Sequence, residues 1–165
     1  MPDILNPDGS ISPDLWLTLD DEQDVPEGSQ VIVSLSRWQE QRETLLQNAK
    51  AVGISLDNTQ SLDDMEADSF ADVALIALNF PAFTDGRAYS QARLLRERLQ
   101  FKGTVRACGE VLHDQLFYML RCGFDSFELP AALDAQQADK FLHTFSVAYQ
   151  PTSSGPQLQR AGSLA

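Results

Sequence analysis

The sequence predicts an α/β protein: a doubly wound, mainly parallel five-stranded sheet preceded by an N-terminal arm or hairpin. Three observations lead there. Short apolar, β-branched runs recur five times between residues 31 and 129. Helix-period segments separate consecutive runs, as expected of parallel strands joined by helical crossovers. The alternating stretch is about 120 residues long, the size of one domain around a single core.

Residues 1–29 are rich in turns. Asn6-Pro7-Asp8-Gly9-Ser10 parts two short apolar pieces, Ile4-Leu5 and residues 15–19, which reads as a hairpin or an extended arm on the main body. Pro26-Glu27-Gly28-Ser29 breaks the chain before the first strand, 31–35 (VIVSL). A helix over 37–49 follows, with Trp38, Leu45 and Leu46 as its apolar residues, and then the second strand, 52–56 (VGISL). The acidic segment 61–70 reads as a short helix or loop, with Ser61 as N-cap and Asp64 at the capping-box position. Residues 73–78 (VALIAL) have no polar break, the mark of a central strand covered on both faces. Ala88, Ala92, Leu95 and Leu99 recur at helical spacing and predict a helix over 88–100. A strand at 104–108 leads to a helix over 110–122, which Gly123 is placed to cap. The fifth strand, 126–129, stops at Pro130. Asp134 caps a last helix with Ala138, Phe141, Leu142, Phe145 and Tyr149 facing inward. After Pro151 the Ser, Gly, Gln and Pro content predicts a disordered tail over 151–165. Residues 30–150 thus read as one flavodoxin- or receiver-like domain of strand order 2-1-3-4-5, with a truncated barrel as the alternative.

Charge is distributed unevenly. The chain carries a formal charge of −12, which argues against nucleic acid and anionic membranes as partners. Residues 1–30 hold eight Asp/Glu and no Lys or Arg, and residues 57–72 hold six more with none. Seven of the twelve Lys/Arg fall between residues 80 and 129, so that segment is where a charged ligand or partner is expected. No apolar run approaches the ~20 residues of a membrane span, and the N-terminal sequence lacks the pattern of a secretory signal, so the expected location is cytoplasmic. Cys108 and Cys122 are too few for an iron–sulfur cluster or a structural zinc, and read as core residues or a redox thiol pair. No metal site and no cofactor is evident from the sequence.

In a doubly wound sheet, ligands bind beyond the carboxyl ends of the strands. The richest such end is Thr84-Asp85-Gly86-Arg87, just before a helix, where backbone N–H groups, a hydroxyl and a guanidinium can converge on an oxyanion. Tyr89, Ser90 and Arg93 lie in the next two turns. The competing reading is that Thr84 or Asp85 caps the helix while Arg87 pairs with Glu110 or Asp114. Glu110, Asp114 and Gln115 form a second polar group, able to share a proton or cation or simply to suit a helix N-terminus. His113 and His143 read as surface histidines. The helix at Phe117, Tyr118 and Met119 is apolar around its whole circumference, so it is either deeply covered or an interface with another chain, a second copy included. Glycine-rich nucleotide loops, a zinc-protease motif and a nucleophile elbow are absent from the sequence, and the residues of a receiver phosphorylation site do not fit.

Over residues 80–129 the chain resembles a proteobacterial family of unknown function. The hallmark is F-x-x-F-[TS]-D-G-R-x-[YF]-S-Q-A-R-x-L-R, then G-[DE]-V-L-x-D-Q-L, then R-x-G-F-D. It is met at Phe80, Phe83, at 84–87, at 89–93, and at Leu95 and Arg96. Gly109, Val111, Leu112, 114–116, Arg121 and 123–125 match as well. Glu110 stands where Asp is commoner. Genes of that family tend to lie beside those for assimilatory sulfite reductase and phosphoadenylyl-sulfate reductase, and its members are often labelled oxidoreductases of sulfite reduction. The resemblance implies an accessory protein of sulfate or sulfite assimilation that binds a small oxyanion or a reductase subunit. The alternative it implies is a small oxidoreductase or sulfur-transfer enzyme. Catalysis itself is left open, and no catalytic residue is assigned.

Overall fold

All five apolar runs form strands, and the N-terminal arm supplies three more. The computed structural model describes residues 2–82, 84–129 and 140. Its strands are β1 (Asp3–Leu5), β2 (Ile11–Pro13), β3 (Trp16–Thr18), β4 (Gln30–Ser34), β5 (Ala51–Leu56), β6 (Leu75–Phe80), β7 (Thr104–Gly109) and β8 (Ser126–Leu129). The helices are α1 (Leu35–Asn48), α2 (Arg87–Arg93), which continues into a π-helical turn at Leu94–Arg98, and α3 (Leu116–Cys122). Short 3-10 turns occur at Ala67–Phe70 and His113–Gln115. The helix expected after Asp134 and the tail at 151–165 lie outside the described residues, Lys140 excepted.

The strands form one sheet of order β2-β1-β8-β7-β6-β5-β4-β3. From β3 to β8 every neighbouring pair is parallel and consecutive in the chain, whereas β1 and β2 form an antiparallel hairpin laid against β8. This overturns the expected flavodoxin- or receiver-like sheet of five doubly wound strands. A doubly wound chain reverses its direction of travel across the sheet and so sends helices to both faces. Here every crossover steps the same way, and crossovers of one hand then place the helices on one face. The product is a curled, mixed half-barrel, nearer to the truncated-barrel alternative.

The curl follows from chain connectivity. β2 and β3 are the outermost strands at opposite edges, yet only Asp14 and Leu15 separate Pro13 from Trp16. Three Cα steps span at most about 11 Å, while a flat eight-stranded sheet would hold its edges about 33 Å apart. The sheet must therefore bend until its edges nearly meet. The arm at 1–29 is accordingly not an appendage: it furnishes both edges of the sheet.

Side-chain alternation sorts the two faces. Val52, Ile54 and Leu56 of β5, Ile76, Leu78 and Phe80 of β6, Val105 and Ala107 of β7 and Phe127 of β8 are fully buried against Trp38, Leu45, Ala92, Leu95, Leu116 and Met119 of the helices. Full burial of each large apolar side chain contributes about 1.5–3 kcal/mol, so this layer dominates the stability. The opposite, concave face holds a second, smaller cluster of Ile32, Leu75 and Ala77 with Trp16 and Cys108 packed on it. Register aligns Ser55, Ala77, Arg106 and Ser126 in one row across four strands. Small residues are needed there: a Cβ on Gly53 would stand 3.2 Å from the side chains of Ile32 and Trp16.

Local signals account for the element boundaries. Ser34 Oγ accepts the Arg37 N–H (3.1 Å), which starts α1 two residues earlier than the sequence pattern indicates. Ser61 does not begin a helix. Its hydroxyl closes a turn with Asp63, and the helical turn starts later, where Glu66 and Ser69 form the capping box. Gly123 caps α3 as expected, at φ +110°, with Phe124 N–H donating to Met119 O (3.1 Å).

Candidate functional site

The loop after β6 folds onto itself. Asp85 Oδ1 accepts from the Arg87 backbone N–H (3.1 Å), and its carboxylate takes Arg87 Nε (3.1 Å) and Nη2 (2.7 Å). Asn58 Nδ2 adds a further donor to Asp85 (2.5 Å). These bonds, the Arg87 side chain first, hold the Asp85 carboxyl down at about 2, and Asp85 in turn raises Arg87. Arg87 therefore pairs with Asp85 rather than with Glu110 or Asp114. Gln91 is buried and ties the same region together, donating to Asp57 O (2.8 Å) and Gln60 O (3.0 Å). Thr84, Gly86 and Ser90 are exposed. An arginine already neutralised by a carboxylate two residues away is a weak anchor for a free anion.

The remaining candidate residues gather where α2 packs on α3. The Tyr89 ring lies 4.9 Å from that of Tyr118 and 5.1 Å from that of Phe80, measured between centroids. The Tyr89 hydroxyl is buried and has no hydrogen-bond partner among the described residues. Burial first, then Cys122, Tyr118 and Asp114, push it up to about 12. Exposed Arg93 is raised by its hydrogen bond to Cys122, and Tyr118 is raised by the same thiol. Glu110, exposed, follows β7 with its N–H on Phe80 O (2.8 Å); Asp114 and Gln115 sit in the 3-10 turn that leads into α3. The structure thus divides the predicted residues into a self-paired loop (Asp85, Arg87) and an aromatic–arginine surface (Tyr89, Arg93, Tyr118), with Asp114 beside the latter. Met119 belongs to the core, Phe117 is half-buried and Tyr118 is 45% exposed, so only the last two offer surface to another chain.

Arg96 and Arg106, both buried, lie outside the candidate site that the sequence indicated. Arg96, reaching from the π turn, donates to the carbonyls of Gly123 (3.0 Å), Phe101 (2.9 Å) and Gly103 (2.8 Å) and pairs with Asp125 (3.2 Å). This is an internal staple. Arg106 sits on the concave face, 4% exposed, with Nε on Ser126 Oγ (3.3 Å) and Nη1 on both Asp14 oxygens (3.1 and 3.0 Å). It lines a cavity of about 270 Å³ toward the carboxyl ends of the parallel strands, with Thr18, Ser55, Asn79, Cys108 and Glu128. The Cys108 thiol is pushed up by burial and then by Glu128, which keeps it protonated. The signal for this cavity was present as small or polar residues at alternate positions of β5 to β8, but it has meaning only once the sheet is known to curl.

A half-barrel of consecutive parallel strands, closed by its own N-terminal segment and carrying a polar cavity on its concave face, is the class of protein this geometry defines. The family model for bacterial proteins of unknown function (DUF934) matches residues 53–159, more than half of the chain, and the chain belongs to that family. No curated protein and no solved structure gives a significant match. Among the described residues no helix is long and apolar enough to cross a membrane, and no group of His, Cys, Asp and Glu is placed to hold a metal ion.

Proposed function

We propose that the protein is an accessory factor of assimilatory sulfate or sulfite reduction that acts by docking on a reductase subunit through the α2–α3 surface. The link to sulfite reduction rests on the resemblance carried by residues 80–129. The observation that supports docking over oxyanion capture is the character of that surface. Tyr118 and, at the start of the same segment, Leu112 are exposed, half-buried Phe117 adjoins them, and Arg93 is exposed beside Tyr118, in a chain of charge −12. Exposed aromatics with arginine are the composition of interface hot spots. Anion capture by Arg87 has less support because Asp85 already occupies its guanidinium. A sulfur-transfer enzyme is also less supported, since the Cys108 thiol is held protonated and Cys122 lies in the core.

The test is genetic and then biochemical. A deletion strain should grow poorly on sulfate or sulfite and normally on cysteine, and Tyr118→Glu should fail to restore growth while folding like the parent. Purified sulfite reductase should bind the parent chain and not that variant. Normal growth of the deletion strain on sulfate and on sulfite rejects the reading.

A further inference from the structure

Residues 11–17 run from β2 through the two-residue connector into β3, and their exposure alternates along the whole segment. Ser12, Asp14 and Trp16 are the covered positions: Asp14 is buried on Arg106, and Trp16 packs on the concave cluster. Ile11, Pro13, Leu15 and Leu17 are the exposed ones, at 41% for Ile11, 68% for Leu15 and 40% for Leu17. The usual strand pattern is therefore inverted, with a carboxylate enclosed and four successive outward positions apolar. A single exposed leucine needs no explanation. An unbroken apolar row along the edges of a sheet is the mark of a surface that meets another chain.

Spacing and charge define what meets it. The apolar positions recur every second residue, about 6.7 Å apart, which is the repeat of an extended strand and not of a helix. β2 and β3 are the outermost strands of the sheet, so neither has a neighbouring strand on its outer side. Seven of the eight carboxylates in residues 1–30 are exposed, Asp14 alone being buried, and no Lys or Arg lies among them. Five of the exposed ones, Asp20, Asp21, Glu22, Asp24 and Glu27, follow directly after β3. Two copies placed face to face would bring two such acidic arms together. Four side chains also fall far short of the roughly 800 Å² per partner that a stable complex buries. Charge and area thus disfavour a second copy and favour a short basic segment.

We propose that Ile11, Pro13, Leu15 and Leu17 receive an extended segment of another protein, apolar at alternate positions and basic at one end. Its apolar side chains lie on this row, and its lysines or arginines meet the carboxylates at 20–27. The row shares no residue with the α2–α3 surface, and its partner does not depend on the one assigned there.

Fluorescence anisotropy with the full chain uses a labelled peptide of three Val-Thr repeats followed by four lysines. Two comparison peptides carry glutamates in place of the lysines or serines in place of the valines. The first should bind in the micromolar range, and the others at least about tenfold more weakly. Leu15→Ser and Leu15→Ser/Leu17→Ser should each weaken it by about tenfold or more, with the unfolding midpoint kept because both side chains already face solvent. Glu22→Gln/Asp24→Asn should weaken it less and flatten its dependence on salt. Leu46→Ser, which alters an exposed leucine on α1, should bind as the parent does. The assignment is overturned if the lysine peptide does not bind at millimolar concentration, if either comparison peptide binds equally well, or if both leucine variants bind as the parent does. A parent chain that sediments as a dimer, dissociated by Leu15→Ser, overturns it as well by giving the row to a second copy.

Discussion

A single hydroxyl shows how a residue's surroundings set its behaviour. Tyr89 OH is enclosed by Phe80, Phe124 and Tyr118 and meets no hydrogen-bond partner among the described residues. Tyr89→Phe should therefore be neutral or stabilising, by up to about 1 kcal/mol, because it removes an unsatisfied polar atom and keeps the ring packing. Its pH signature is distinctive. A folded value raised from 10.0 to about 12 means the native state keeps a proton that the unfolded chain has released. Stability from this group is complete below about 10 and is lost as pH rises toward about 12. Urea midpoints across that range should fall less steeply in the phenylalanine variant. At this scale the sequence was legible at Gly123, which caps its helix, but not at Arg87: its local partner Asp85, two residues away, takes the guanidinium that the sequence pattern paired with Glu110 or Asp114. Arg106 and Asp14 are 92 residues apart, and no local pattern joins them.

The helix spacing predicted over 88–100 holds, but the element is an α-helix that widens into a π turn and ends at Gln100 with φ +54°. That turn carries Arg96 into the core, where it meets three carbonyls and Asp125, and Arg98 to the carbonyls of Leu62 and Asp63. Gly123 belongs to the same arrangement, since a Cβ there would stand 2.6 Å from Arg96 Cγ. Arg96→Ala would leave half-buried Asp125 without its cation and strand the carbonyls, a loss of about 3–5 kcal/mol. Arg96→Leu/Asp125→Leu should recover part of it. Chemical denaturation of the single and double variants checks both figures. Strand positions were readable because β-branched runs between turn residues leave few alternatives. Strand order was not, because the period of a strand says which residues share a face and nothing about which strand is its neighbour. β6 illustrates this: residues 75–78 are covered on both faces, by helices on one side and by the curled sheet's own interior on the other, while Ala74, just before the strand, is exposed.

For the molecule as a whole, the buried Asp14–Arg106 pair joins the connector between the two edges to β7 at the sheet's centre. Removing one partner leaves the other charge enclosed, so Asp14→Ala should cost about 3–5 kcal/mol. Because Asp14 holds the edge connector, proteolysis within residues 1–29 should accelerate in that variant, whereas Arg42→Ala, which removes a surface pair with Asp72 (2.7 Å), should change neither readout measurably. The candidate site was only partly legible for the same global reason. The surface on α2 and α3 lies within one contiguous stretch of chain and could be found there. The cavity draws on β3, β4, β5, β6, β7 and β8 and exists only after closure.

Closure also fixes when the protein can become itself during synthesis. β1, made before every other strand described, takes its place in the sheet only against β8, with Asp3 opposite Leu129. Until residue 129 has left the ribosome, the opening hairpin has no strand to join, and the half-built sheet presents β7 as a bare edge. Contacts so distant in sequence close slowly, and an unpaired strand edge in that interval is a site for pairing with the wrong chain. Nascent chains arrested before β8 emerges should therefore leave the β1–β2 hairpin open to protease and depend on chaperones, a vulnerability that ends when β8 arrives.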